Sequence, residues 1–194
     1  MKNEEKILDA ALKVVEEHTI SGTRMHLIAQ EAGMLQSNVH YYYKTKDDLM
    51  LALQDKVLDK CHEIRDELSA KADDTLESQL DVFIGQKKNF ILENKRYDYA
   101  EMDFWQQGRI NEEMRKRFAD SYCGWRNDIL DMLDRYVPKL TSSMRQYIPA
   151  YVVSFLEGAT IQYLMDSDSM DIDGYFEFGK QTILNILKPY RDDN

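Results

Sequence analysis

The sequence predicts an all-α chain of about nine helices, on three observations. Prolines are confined to Pro138, Pro149 and Pro189, so residues 1–137 contain none, and only 8 glycines are spread over 194 residues. A β protein of this length needs Gly, Pro and Asn-Gly turns at short intervals. Lys, Glu, Gln, Leu, Ala and Met abound instead, all good helix formers. Apolar residues recur at steps of three and four, the period of a helix with one buried face.

Each element follows from that period. Ile7, Leu8, Ala11, Leu12 and Val15 line a first helix that fades near His18. Ser21-Gly22-Thr23 breaks it, and Thr23 is the expected N-cap of a short second helix carrying Leu27, Ile28 and Ala32. Gly33 stops that helix, because a left-handed residue after a helix costs glycine nothing. A third short helix covers about 37–43. From Asp47 a long helix carries Leu49, Leu53, Val57, Cys61, Ile64 and Leu68. Helices over 75–93, 97–107, 112–136, 145–165 and 175–187 follow, with Pro138 after the seventh and Asp166-Ser167-Asp168-Ser169 between the last two. Character changes near residue 47, which predicts a three-helix head over 1–47 and a larger antiparallel bundle over 48–194.

Composition excludes several classes. Apolar residues at 43% and charged residues at 31% are ordinary for a globular chain and exclude a disordered one. Cys61 and Cys123 form no CxxC pair, which fits a reducing compartment. No 18-residue apolar window exists and the start lacks a signal-peptide pattern, so a cytoplasmic location with no membrane partner is expected. Enzyme signatures are missing. No Glu stands three before His18, His26, His40 or His62, Asp59-x-x-His62 is one imperfect half of a di-iron pattern, and no Gly-rich phosphate loop occurs. Cys61 falls on an apolar stripe and reads as core. No catalytic residue, metal or cofactor is expected.

Net charge is −10, from 25 basic and 35 acidic residues, which argues against an extended nucleic-acid surface. The distribution qualifies that sum. Between Glu31 and Asp47 no carboxylate occurs, and this stretch holds His40, Lys44, Lys46 and Tyr41-Tyr42-Tyr43. Residues 23–46 read TRMHLIAQEAGMLQSNVHYYYKTK. Ala29, Gly33 and Val39 have helix-turn-helix spacing: small where the helices cross, glycine at the turn, apolar where the second helix seats on the core. A duplex major groove admits a helix, and acids on it would face phosphates.

At these residues the chain resembles the DNA-binding domain of the TetR family of transcriptional regulators. Ile7, Ala10-Ala11, Gly22-Thr23, Ile28-Ala29, Ala32-Gly33, Tyr42-Tyr43, Lys46 and Leu49 carry the likeness, over about residues 5–53. The resemblance implies a repressor on a palindromic operator, a small-molecule effector and a homodimer. DNA contacts are then expected from Thr23 and Arg24 at the start of the second helix, and from Gln36, Ser37, Asn38 and Tyr41, which face the bases. His40, Tyr42 and Lys46 are expected at phosphates. Two positions depart from the family: Leu35 replaces the usual capping Ser, so that cap is lost or supplied by Ser37, and His40 replaces a Tyr.

Aromatic and polar residues in the middle of the chain suggest an effector pocket beside the long helix from Asp47, the expected lever between head and bundle. Its lining is expected from Cys61, Arg65, Leu68, Phe83, Lys87, Tyr99, Met102, Asp103, Tyr122 and Trp125. An isologous dimer interface is expected from Tyr151, Phe155, Gly158, Ala159 and Gln162 with Phe176, Gly179, Ile183 and Ile186, where small residues let helices approach. The alternative is a helical protein-interaction module without DNA binding, which leaves the acid-free tyrosine stretch unexplained.

Overall fold

The computed structural model describes residues 3–191. Among them are α1 (Asn3–Gly22), α2 (Met25–Glu31), α3 (Gln36–Tyr42), α4 (Lys46–Ser69), α5 (Leu76–Glu93), α6 (Lys95–Gln107), α7 (Glu112–Tyr136), α8 (Ser142–Met165), α9 (Ile172–Leu187) and a closing 3-10 turn, with no strand. The all-α expectation holds. Helices α8 and α9 begin three residues before their apolar period does, because caps set their first turns. The Thr141 side chain accepts from the Met144 N–H, and Asp171 accepts from the Gly174 N–H at 3.0 Å.

Two compact units divide the chain. The first comprises residues up to Glu63 with Asn94–Phe118, and so contains α1 to α3, most of α4, α6 and the first turns of α7. Its core is Ile7, Ala11, Leu12, Ile28, Ala29, Val39, Leu49, Leu53, Ala100 and Phe104. Fully burying a side chain of Leu, Ile or Phe size stabilises by about 1.5–3 kcal/mol. Gln54 is buried among them, and its Nε2 donates to the Met114 carbonyl at 3.0 Å, so its burial comes with a hydrogen bond.

The second unit comprises Ile64–Glu93 and the chain from Ala119 onward. Leu76, Leu80, Ile91, Ile129, Leu133, Val152, Leu156, Phe176, Ile183 and Leu187 form its apolar core. Among the described residues no helix is long and apolar enough to cross a membrane.

Candidate nucleic-acid interface

The turn between α2 and α3 is built as its residues require. Gly33 has φ 61°, the left-handed region that only glycine enters freely. The Met34 N–H donates to the Ala29 carbonyl at 2.9 Å, and the Gly33 N–H to the Gln30 carbonyl at 3.0 Å. This paired closure satisfies carbonyls that α2 would otherwise leave open. Ala29 and Val39 are buried at the crossing, as their spacing predicts.

That seating turns one face of α3 outward. Gln36, Ser37, Asn38, His40, Tyr41 and Tyr42 are all exposed, as is Arg24. The Tyr41 and Tyr42 rings meet edge to face at 5.3 Å, and Asn3 Nδ2 donates to the Tyr42 hydroxyl at 3.3 Å. Tyr43 points inward, and its hydroxyl donates to Glu4 at 3.3 Å. Burial, then the Glu4 charge, push the Tyr43 phenol up to about 12. The α3 N-cap is Leu35 and no side chain caps it, so Ser37 does not replace the missing serine.

Three sequence expectations in the head change on folding. Thr23 is fully buried, and its hydroxyl donates to the Thr19 carbonyl at 2.7 Å, so it faces no ligand. Arg24 stands at the N-cap of α2 instead, without a side-chain cap bond. His40 is engaged inside the head at both ring nitrogens: Nδ1 lies 3.2 Å from the Lys44 carbonyl oxygen and Nε2 3.2 Å from Gln36 Nε2.

The end of α1 is a strained joint. Thr19 has φ 59° and ψ 165°, a region that non-glycine residues enter only under constraint. The constraint is visible at both backbone polar groups of the next residue, Ile20. Asp103 of α6 accepts from the Ile20 N–H at 2.8 Å, and Lys46 Nζ donates to the Ile20 carbonyl. Gln107 Nε2 also donates to the Ser21 hydroxyl at 3.2 Å. Burial raises the Asp103 carboxyl above its ordinary range, with the Ile20 N–H opposing; burial and the Arg24 charge lower the Lys46 ammonium. An ammonium has three N–H donors, so the bond to Ile20 still allows Lys46 a phosphate.

The residues expected to bind an effector fall in both units. In the first, Cys61 and Met102 are half-buried, Tyr99 is partly exposed, and Asp103 is spent on Ile20. In the second, Phe83 is buried, Leu68 and Tyr122 are half-buried, and the Arg65 guanidinium lies 3.3 Å from Asp128 and 5.7 Å from the centre of the Phe83 ring. Lys87 is buried 3.2 Å from Glu157. Trp125 Nε1 and the Thr160 hydroxyl are buried without a hydrogen-bond partner. Thr160 was not legible as a polar core group from its apolar flanks.

Of the expected interface, Tyr151, Gln162 and Ile186 are exposed, and Phe155 and Gly158 half-buried. Ala159, Phe176, Gly179 and Ile183 are instead packed inside their own chain. A Cβ on Gly179 would stand 2.1 Å from the Phe155 ring, so this glycine serves the α8–α9 contact within the protomer. The outward apolar stripe runs through Tyr147, Tyr151, Ile161 and Met165 on α8 and Phe178 and Ile186 on α9. Its steps of 4, 10 and 4 on α8 and of 8 on α9 keep to one face of each helix, and in the sequence they are hidden by a second apolar period on the same helices.

Comparison with known proteins agrees with this geometry. The model of the family described as bacterial regulatory proteins, tetR family, matches residues 7–53. The "uncharacterized HTH-type transcriptional regulator in dhlA 5'region" of Xanthobacter autotrophicus is 27% identical over 172 residues, covering 86% of this chain and 82% of that protein. A TetR transcription regulator from Haloarcula marismortui superposes with a TM-score of 0.79 at 21% identity, covering 98% of each chain. FadR from Bacillus subtilis in complex with stearoyl-CoA superposes with a TM-score of 0.75 at 16% identity, covering 94% of this chain and 96% of the other. With residues 7–53 matching the family's model and the whole length sharing the helical fold of these regulators, the chain carries a TetR-family DNA-binding head on a TetR-like helical fold.

Proposed function

We propose that this regulator is a cytoplasmic, non-enzymatic homodimeric repressor that grips a palindromic duplex through α3 and releases it when a small organic effector binds. The carrying observation is the outward face of α3, where Gln36, Ser37, Asn38 and Tyr41 stand exposed on an acid-free segment seated by the Gly33 turn. Polar side chains of this kind read base edges in the major groove. Lys46 and Tyr42, beside that face, serve phosphates. A two-fold dimer presents two such helices to half-sites about 34 Å apart, one helical turn.

The dimer reading rests on the stripe Tyr147, Tyr151, Ile161, Met165, Phe178 and Ile186, large apolar side chains exposed on neighbouring helices. Gly158 lies in the same stripe, and a Cβ there meets only the Tyr175 hydroxyl at 3.7 Å. Its own chain therefore leaves room for a Cβ at that position.

The effector reading rests on polar groups set in the apolar core of the second unit. Lys87, Glu157, Arg65, Trp125 Nε1 and Thr160 Oγ1 are groups that an amphipathic organic molecule could engage. The Bacillus subtilis relative holds stearoyl-CoA, a ligand of that amphipathic kind. Such a ligand acts only through its different affinity for the DNA-bound and released states.

A mobility-shift assay on duplexes selected from a random library tests the reading. The expected result is a two-fold-symmetric site bound by a dimer, with Asn38→Ala relaxing one base position. Failure of the protein to retain any duplex would overturn it. For the effector, a panel of fatty acids, acyl thioesters and quaternary amines is scored by tryptophan quenching and by release of the operator. Trp125→Phe is expected to remove the quenching and, because Nε1 is one of the engaged groups, to raise the effector concentration needed for release; a panel in which nothing releases DNA counts against the ligand class.

A further inference from the structure

We propose that His40 is a positioning residue that fixes the amide of Gln36, so that Gln36 reads an adenine in each operator half-site. The proposal rests on α3 being the helix in the major groove and assigns a role within it. Gln36 and His40 stand one helical turn apart on the exposed face, with 3.2 Å between Gln36 Nε2 and His40 Nε2. On its other side the ring is tied at Nδ1, 3.2 Å from the Lys44 carbonyl oxygen.

The chemistry of those two contacts determines the hydrogens. A carbonyl oxygen only accepts, so Nδ1 carries the proton in this arrangement. In the neutral ring Nε2 is then an acceptor, and the group facing it must donate. Only the NH2 end of the Gln36 amide does so. The amide is thereby held in one of its two flip states, with its oxygen directed away from the ring. A primary amide has two N–H bonds, on opposite edges. The proposal gives His40 the N–H remote from the oxygen, which leaves the edge carrying the oxygen and the second N–H intact.

That edge is an acceptor beside a donor in fixed order. Adenine offers the complement in the major groove, a donor at N6 and an acceptor at N7, and a glutamine amide meets both together. A glutamine free to flip would present the edge in either order and would lose freedom on binding. One already held does neither. The anchor is itself firm. Next to Lys44, the Thr45 N–H donates to Asp48 Oδ2 and the Asp48 N–H to Thr45 Oγ1, each at 3.0 Å, so the carbonyl that holds the ring adjoins the capped start of α4.

The test is selection from a random duplex library, followed by affinity measurement on single-base variants of the selected site. The full-length wild type, Gln36→Ala, His40→Phe and the double variant are compared. The position whose preference vanishes in Gln36→Ala is the one that Gln36 reads. The wild type is expected to prefer adenine there by about five-fold or more, the lower end for a bidentate amide contact. His40→Phe keeps a ring of similar size but neither nitrogen. It is expected to reduce that preference to near that of Gln36→Ala, leave the other positions unchanged and lose nothing further in the double variant. A guanine or pyrimidine preference at that position would overturn the proposal. So would an undiminished adenine preference in His40→Phe, losses that add in the double variant, or a Gln36→Ala variant with no altered position. If the wild type enriches no duplex at all, the groove reading of α3 falls with it; if it enriches one and only the His40 outcomes fail, that reading stands.

Discussion

Thr19 is the residue that departs furthest from its own conformational preference. Its φ of 59° with ψ of 165° is a backbone state natural to glycine, and such states cost of order 1–3 kcal/mol. Thr19→Gly is therefore expected to stabilise the head by about 1 kcal/mol after the added flexibility of the unfolded chain is counted. Urea unfolding of the variant checks this, and a loss of stability would show that the strain is not in the backbone. Tyr43 makes a prediction in pH. Its phenol is raised from 10.0 to about 12, so between those values the folded protein holds a proton that the unfolded chain has released. Stability should fall as pH rises through that window, and the contribution of Tyr43 should be intact below pH 10. Replacing Tyr43 by Phe is expected to flatten that part of the profile, read from denaturant midpoints at pH 9 and 11.5.

Between helices, the joint at the end of α1 is the contact with the clearest consequence. Asp103 on α6 satisfies the Ile20 N–H, and Ile20 is itself buried. Asp103→Ala removes that acceptor and is expected to destabilise by about 1–3 kcal/mol, the range for a buried donor left unmade. Asp103→Asn keeps a carbonyl oxygen in place and is expected to lose less than half as much. Equal losses would mean that the charge, not the hydrogen bond, holds the joint. Helices α8 and α9 meet where the Phe155 ring lies over Gly179. Gly179→Ala has no room there and should cost about 1–3 kcal/mol through overpacking.

The molecule as a whole carries 10 more negative than positive charges, yet presents α3 on a stretch free of carboxylates. Binding to a duplex then depends on few phosphate contacts. Lys46→Ala is expected to weaken all sequences alike and to reduce the slope of log affinity against log salt by about 1. A lost base preference with an unchanged slope would move Lys46 from phosphate contact to the α1 joint alone. For the dimer, Ile183 is not a usable probe, because it is buried in its own chain and Ile183→Asp would unfold the unit. Phe178, 75% exposed on α9, and Gly158 on α8 are the clean positions. Phe178→Asp or Gly158→Arg should give folded monomers in sedimentation; dimers unaffected by both would place the interface elsewhere.

The helices and the helix-turn-helix were legible in the amino-acid order because their causes are local. A three-to-four residue period needs no partner to be seen, and Ala29, Gly33 and Val39 each answer a steric demand made within a dozen residues. The exposed face of α3 was legible for the same reason, since burying Val39 turns Gln36, Ser37 and Asn38 outward. Contacts between distant segments were not. Asp103 reads as a candidate ligand group until folding sets it against the Ile20 N–H, 83 residues away. Thr23 reads as a cap, but the kink at Thr19 brings a carbonyl within 2.7 Å of its hydroxyl. On α9 the order of residues offers two apolar stripes of similar strength. Only the seating of Phe155 over Gly179 decides that Phe176 and Ile183 face the core and Phe178 the outside, because a helix's direction of burial belongs to what packs against it.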